Sequence, residues 1–209
     1  MDTTKESILS VATRLFAEKG FEGVTTREIC RVAGVNGALV NYHFRTKEGL
    51  YQACLERVFR RADGHSVVNL VKTVTDEASW RAAIHEWVLR FSVAMNATLG
   101  EEGVVPRLYG REMRHPSCMH DFITDEFLEP IYSSLLALVR LAGRSESESR
   151  KWTTSIWFQL SAIAFMDESW RTSFRPRGLK SSSWGRNFAD FVCERIFSEL
   201  SYVGKGVSK

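Results

Sequence analysis

The sequence predicts an all-α fold, and three observations carry that prediction. Apolar residues recur at helical spacing along most of the 209 residues, strand-like alternation is absent, and only four prolines occur. A hydrophobic content of 44% is too high for a disordered chain and sufficient for a buried core. No apolar stretch is long enough to span a membrane, and the N-terminus lacks the apolar core of a signal peptide, so we expect a cytoplasmic protein.

The first two predicted helices are defined by an apolar stripe and by their ends. The stripe of the first helix consists of Ile8, Val11, Ala12, Leu15 and Phe16. Gly20 ends this helix, as a left-handed C-terminal residue does. Thr25 lies three residues before Glu28, which is typical of a capping box, and the short helix that follows ends near Gly34.

The third and fourth helices also begin at capping residues. Asn36 caps a second short helix that starts at Gly37. Thr46 caps a long helix that we expect to continue to about residue 72, because no proline occurs before residue 106.

The remainder of the chain predicts further helices with softer boundaries. Pro130 should kink or divide the helix that contains it. In chain order the segments are helices at 76–98, 104–114 and 117–142, a polar hinge at 143–147, a helix at 149–170 that is apolar nearly all round, a loop at 171–183 and a last helix at 184–203.

Charge and cysteine content narrow the function only slightly. Residues 1–61 hold ten Lys and Arg against seven Asp and Glu, so the whole formal excess of +3 lies in the first third. The cysteines are widely separated, which is typical of small core residues in a reducing compartment and not of a disulfide framework. They are Cys30, Cys54, Cys118 and Cys193.

Two short helices joined by Ala33, Gly34 and Val35, behind a supporting first helix, are typical of a helix-turn-helix. The second short helix would enter a major groove about 12 Å wide, so its leading residues should be small or polar. Asn36, Gly37 and Ala38 meet that requirement.

Phosphate contacts are expected on both sides of that helix. Thr25, Thr26 and Arg27 combine hydroxyls, free N–H groups and a cation at a helix start. Tyr42, His43 and Lys47 are donors for the opposite groove wall. A purely structural alternative remains open here, since Tyr42 and Phe44 are each more often packing residues, and His43 could serve either role.

These residues resemble a known family. The runs Leu15–Phe21, Thr25–Ile29, Ala33–Val35 and Tyr42–Leu50 resemble the N-terminal domain of TetR-family transcriptional regulators. The resemblance implies a homodimer of all-α subunits, with DNA contacts at Thr25, Thr26, Arg27, Asn36, Gly37, Ala38, Asn41, Tyr42, His43 and Lys47. Asn41 stands where many relatives carry a tyrosine that contacts phosphate.

The resemblance also implies a division into two domains. A helix-turn-helix domain is expected at 1–50, and a larger helical domain for effector binding and dimerisation at 51–209. Two further runs, Arg111–Ser117 and Phe127–Pro130, resemble the C-terminal domain of the CecR-like TetR subgroup. Arg111 and Glu112 are interpreted mainly as a structural pair that fixes a helix end.

The candidate effector site is a mostly apolar cavity between helices, which would take a flat, hydrophobic small molecule. Arg111, Gln159 and Asp167 are candidate polar anchors. The full candidate set is Phe91, Met95, Tyr109, Arg111, Met113, Phe122, Phe127, Phe158 and Gln159, with Phe165 as a further aromatic residue.

The last two apolar helices predict a homodimer, because one small domain cannot bury both of their faces. The residues assigned to this interface are Trp152, Ile156, Ile163, Phe188, Val192 and Ile196, with Leu200 continuing the same stripe.

A metal site is the weakest of the alternatives. His115, Cys118 and His120 could bind zinc or copper, with acidic neighbours at Glu112, Asp121 and Asp125. Because the cluster crosses a predicted helix break, we predict no metal and no cofactor.

The favoured function is a ligand-responsive repressor that binds a palindromic DNA operator as a dimer. One alternative is an enzyme that uses the C-terminal cavity with His115 or His120 as base, although the chain has no Gly-rich phosphate loop, GxSxG or HExxH motif. Another is a helical interaction protein without an operator.

Overall fold

The fold is described from a computed structural model that covers residues 3–61, 67–96, 103–165 and 181–204. Helices make up nearly all of this part of the chain, and no strand occurs within it, so the predicted all-α class is confirmed. None of its helices combines the length and the apolar character needed to cross a bilayer.

The N-terminal part contains the four helices that the sequence predicts. They are α1 (Thr3–Lys19), α2 (Thr26–Ala33), α3 (Gly37–Phe44) and α4 (Lys47–Arg61). The stripe of α1 is buried, with Ile8, Ala12 and Phe16 fully excluded from solvent. We expected α4 to continue to residue 72. The last part of that prediction is wrong, because Leu70–Thr73 forms a separate 3₁₀ turn; residues 62–66 lie outside the described ranges.

The middle of the chain contains α5 (Glu77–Asn96) and α6 (Val104–Arg114). Asp76 caps α5, because its carboxylate accepts a hydrogen bond from the Ser79 amide at 2.8 Å. The end of α6 before Pro116 agrees with the prediction that a residue preceding proline leaves helical geometry.

The helix that contains Pro130 is continuous but irregular. It starts as α7 (His120–Ile123), widens into a π-helical turn at Thr124–Leu128, and continues as α8 (Glu129–Arg140). Pro130 lies in the first turn of α8, directly after the π-helical turn.

The last two helices are α9 (Glu146–Ser161) and α10 (Ser181–Glu199). The Ser145 hydroxyl and the Glu148 carboxylate form a reciprocal capping box that starts α9. The sequence placed the start of the final helix at 184, three residues later than observed, and most of the expected 171–183 loop lies outside the described residues. So does Asp167.

The core of the C-terminal part is aromatic. The rings of Trp87, Phe91 and Trp157 pack with centroids 4.7–6.3 Å apart. Each buried indole N–H has a partner, since Trp80 donates to the Leu138 carbonyl and Trp87 donates to the Ser134 hydroxyl, both at 2.8 Å. This core fixes α5, α8 and α9 around one another.

Candidate nucleic-acid interface

The turn between α2 and α3 is fixed by local hydrogen bonds. The Thr25 hydroxyl accepts from the Glu28 amide, and the Asn36 side-chain oxygen accepts from the Leu39 amide, both at 3.1 Å. Between the two helices Gly34 has a φ of 67°, the left-handed conformation that glycine adopts without strain. The sequence predicted the cap at Asn36 and the turn at Gly34. Of the capping box predicted for Thr25 and Glu28, the structure shows the Thr25 half, while the Glu28 carboxylate bonds Lys19.

The outer face of α3 is exposed and its inner face is buried. Val40 and Phe44 are 1% and 7% exposed and pack into the core, whereas the Tyr42 side chain is 81% exposed. The packing alternative therefore holds for Phe44 and not for Tyr42. The residues of this outer face are Asn36, Gly37, Ala38, Leu39, Asn41 and Tyr42, with His43 half-buried beside them.

The first turn of α3 leaves room for a close approach. A Cβ atom built on Gly37 would meet no other atom within 4 Å. Packing within the chain therefore does not require a glycine at this position. The absence of a side chain does, however, let the backbone of α3 come near an external surface.

Cations flank this face. Arg27, Arg31 and Arg45 are exposed, and among the described residues none of them has a carboxylate within ion-pair distance. Glu28, the acidic residue of α2, pairs instead with Lys19 at 2.5 Å. The electrostatics of the face therefore favour a polyanion.

Lys47 is held at the edge of the face by an aromatic ring. Its ammonium nitrogen lies 4.1 Å from the centre of the Phe21 ring, a cation–π contact. The Phe21 ring in turn packs on Tyr51, with centroids 5.1 Å apart. This packing limits the positions that the Lys47 side chain can take.

Arg45 occupies an unusual backbone conformation between α3 and α4. Its φ and ψ are 65° and −56°, and the Thr46 amide donates to the Phe44 carbonyl at 2.7 Å, which closes a γ-turn. A non-glycine residue in this region is strained, and such strain is often associated with function. Sequence reasoning missed Arg45, although an exposed cation next to Thr46 and Lys47 was a visible signal.

Known proteins resemble this part of the chain. Residues 8–54, from α1 into α4, match the model of the tetR family of bacterial regulatory proteins. The dual transcriptional regulator CecR of Shigella flexneri is 29% identical across 66% of this chain. The N-terminal helices of this chain are therefore similar to those of the tetR family of bacterial regulatory proteins.

The curated relatives of this chain are matched only in part. The chain spans 64% of the Shigella CecR, and 24% of the probable regulator YttP of Bacillus subtilis, to which it is 44% identical over 50 residues. Both shares are less than two thirds of the relative's length.

Solved structures share the fold over almost the whole chain. The ketosteroid regulator KstR2 of Mycobacterium tuberculosis has a TM-score of 0.69 at 14% identity, with 97% of both chains covered. FadR of Bacillus subtilis, solved with stearoyl-CoA, has a TM-score of 0.63 at 12% identity, with 90% of this chain and 97% of that chain covered.

Two adjacent residues of α6, Arg111 and Glu112, bond to the N-terminal helices. The Arg111 guanidinium donates to the carbonyls of Ala17, at 3.1 Å, and Glu18, both near the end of α1. The Glu112 carboxylate is buried and accepts from the Tyr51 hydroxyl of α4. We predicted that this pair fixes a helix end; in the structure it links α6 to α1 and α4. Because Arg111 bonds these carbonyls, we do not include it in the candidate effector site.

The remaining predicted effector residues fall into an inner group and an outer group. Phe91, Met95, Tyr109 and Phe127 are less than 9% exposed, and Met113 and Phe122 pack against the same core. The Tyr109 hydroxyl accepts from the Trp157 indole at 3.0 Å, and burial raises the pKa of Tyr109. Phe158, 59% exposed, and Gln159 lie on the outer face of α9, so neither lines the core.

The predicted dimer residues also divide by exposure. Ile156, Val192 and Ile196 are at most 2% exposed and pack into the core of their own subunit, so the structure corrects their assignment to an interface. Trp152 and Phe188 are half-buried, and the Ile163 side chain lies outside the described residues. The exposed apolar positions on these helices are Phe158 and Phe191 instead.

The His115, Cys118 and His120 cluster does not form a metal centre in the described part of the chain, where no three His, Cys, Asp or Glu residues converge. His115 and Cys118 are exposed on the segment that follows α6.

Proposed function

We propose that this chain is a DNA-binding transcriptional regulator, and specifically a repressor that binds a palindromic operator as a homodimer and is released by a small molecule. The observation that carries the proposal is the outer face of α3. It combines an open first turn at Gly37, an exposed Tyr42 and flanking cations, which is the chemistry that a major groove requires.

The dimer would be formed by α9 and α10. Trp184, Phe188 and Phe191 stack along α10 with centroids 6.1 and 6.5 Å apart, at a spacing that places them on one helical face. Phe191 is 62% exposed, and an exposed apolar row of this kind is typical of a surface that another protein covers. A second copy would cover this row and present two α3 helices roughly 34–36 Å apart.

The effector would bind among the inner aromatic residues. Phe91 and Tyr109, on α5 and α6, both border Trp157 of α9, so a ligand inserted there would press on α6. Because α6 also carries Arg111 and Glu112, its displacement would reach α1 and α4. The ligand would shift operator binding only by its difference in affinity between the two arrangements.

A gel-shift experiment on the DNA flanking the chain's own gene tests DNA binding. We expect a sequence-specific shift that weakens steeply with salt, because lysine and arginine contacts release counterions from phosphates. A shift that is equal on scrambled DNA, or that is absent at every protein concentration, would contradict the proposal.

Effector binding has a separate test, which uses the intrinsic fluorescence of the buried tryptophans. A long-chain acyl-CoA is a suitable first probe, because its acyl chain is apolar and stearoyl-CoA is bound to the FadR of Bacillus subtilis. We expect a saturable change in emission together with loss of the DNA shift. A regulator that is not an enzyme should leave the probe chemically unchanged.

A further inference from the structure

Exposed apolar side chains are concentrated in the helix-turn-helix. Six large hydrophobic residues are exposed in the described part of the chain, and three of them lie within residues 32–42. Single exposed apolar residues are ordinary, but a concentration of them next to a functional face indicates a partner. The six residues are Val32, Leu39, Tyr42, Phe158, Phe191 and Val203.

Leu39 lies on the outer side of α3 and its backbone is held in place. It is 36% exposed, whereas the next residue, Val40, is 1% exposed and packs inward. The Leu39 amide donates to the side-chain oxygen of Asn36 at 3.1 Å, which fixes the first turn of the helix. The backbone position from which the Leu39 side chain projects is therefore set by the same contact that starts α3.

Leu39 is also the first long side chain on that turn. Gly37 and Ala38 come before it and present at most a methyl group, and the space around Gly37 is open. When this turn approaches a surface, the Leu39 side chain reaches further than those of its two neighbours.

A leucine can hydrogen-bond neither a phosphate nor the polar edge of a base. The apolar feature that a major groove offers is the 5-methyl group of thymine. We propose that Leu39 is a specificity-determining residue that contacts a thymine methyl group in each operator half-site. This inference rests on the proposed function, since it requires α3 to enter duplex DNA.

The test replaces thymine by deoxyuridine, which removes only the methyl group. The probe is the tightest-binding duplex selected by the full-length protein from random DNA, with its thymines replaced one at a time. We expect one replacement per half-site to weaken wild-type binding about fourfold, the effect of one methyl group that is no longer buried.

Leu39→Ala should bind the unmodified duplex more weakly and should lose the response to that replacement. Val32→Ala is a matched control, because Val32 has the same 36% exposure but lies on α2. This control should keep the wild-type response to deoxyuridine. Circular dichroism melting of both variants checks that neither effect arises from unfolding.

The outcomes separate the inference from the proposed function. If the wild-type protein selects no specific duplex, the proposed function itself fails. If it selects one but no deoxyuridine replacement matters, or if the response persists in Leu39→Ala, then Leu39 does not read a thymine methyl. An unchanged DNA affinity of Leu39→Ala with an altered oligomeric state would assign Leu39 to a protein interface and would also overturn the inference.

Discussion

The hydroxyl of Tyr51 donates a hydrogen bond to the buried carboxylate of Glu112, and this contact joins α4 to α6 across 61 residues of sequence. The second carboxylate oxygen accepts from the amide and the hydroxyl of Ser117, both at 3.1 Å. Burial and the neighbouring carboxylate raise the pKa of Tyr51, so its hydroxyl keeps the proton that it donates. The hydrogen bond between Tyr51 and Glu112 is thus a polar contact beside the aromatic packing of Tyr51 on Phe21.

Tyr51→Phe should destabilise the protein, because it removes this donor and leaves a buried carboxylate oxygen without it. We expect the free energy of unfolding to fall by about 1–3 kcal/mol in a urea titration. Tyr132→Phe is the control, since its hydroxyl bonds Thr154 at an exposed site and its loss should change little. Equal unfolding midpoints for wild type and Tyr51→Phe would show that Glu112 does not depend on Tyr51.

Gly37→Val should separate folding from DNA binding. Since nothing lies within 4 Å of the new Cβ position, we expect a change in unfolding free energy within about 0.5 kcal/mol. The added bulk should lower operator affinity at least about tenfold, as overpacking a close contact does.

Gly110→Ala is the comparison variant, because we expect it to lower the stability of the fold. A Cβ there would lie 2.0 Å from the Ala164 carbonyl oxygen, so this variant should unfold at a lower urea concentration. A Gly37→Val variant with wild-type operator affinity would contradict the docking of α3.

Lys47→Ala and Asn36→Ser should weaken DNA binding in different ways. Loss of the Lys47 cation should reduce affinity for matched and mismatched sites alike and flatten the salt slope by about one unit per contact. Loss of the Asn36 carboxamide should instead reduce the preference for the matched site.

Serine is the informative replacement at position 36. It keeps an N-cap for α3, so any loss of base preference is not a consequence of a frayed helix. Asn36→Ala would lose the cap as well. If Lys47→Ala and Asn36→Ser lose the same affinity on both sites, the assigned roles are wrong.

Phe191→Glu should disrupt the proposed dimer. A carboxylate on the exposed row of α10 would have to be desolvated between subunits, which is unfavourable without a partner. Sedimentation velocity should then show monomers, whereas Ala82→Glu, on an exposed part of α5, should sediment as wild type. A dimeric Phe191→Glu protein would exclude this face from the interface.

The four thiols should differ in reactivity. Burial raises the pKa of Cys54 and of Cys193 to about 12, so almost no reactive thiolate exists at pH 8. Cys118 is exposed, and although burial and Glu48 raise its pKa too, it should be the first to react with an alkylating reagent. Peptide mass spectrometry in native buffer should find Cys54 and Cys193 unmodified until urea is added.

The parts of the fold that the sequence predicted well are set by local contacts. Thr25 and Asn36 each cap a helix by bonding a residue three positions later, and such spacing is visible in the sequence. Gly34 similarly marks the turn of the helix-turn-helix. These residues account for the correct positions of α2 and α3. Ser145 caps α9 in the same way, but sequence reasoning placed it in a polar hinge and missed this cap.

The errors concern contacts between distant residues. Ile156 and Phe158 of α9 are both apolar, so the pattern alone could not tell that Ile156 packs inward while Phe158 is exposed, and only the neighbouring helices decide this. Arg111 bonds a carbonyl 94 residues away, for which no local pattern exists. The candidate DNA face was therefore more predictable than the effector and dimer residues.

The open space beside Gly37 has a consequence for cells that carry two alleles. In the proposed dimer, a chain with a larger residue at 37 would still pair with a normal chain, because a Cβ at position 37 meets no other atom of its own chain. Each dimer of one altered and one normal chain would have one α3 that cannot enter the DNA, so the normal chain in it could not act in a functional dimer. Alterations at this position should therefore be dominant-negative, whereas a core change such as Gly110→Ala should be recessive.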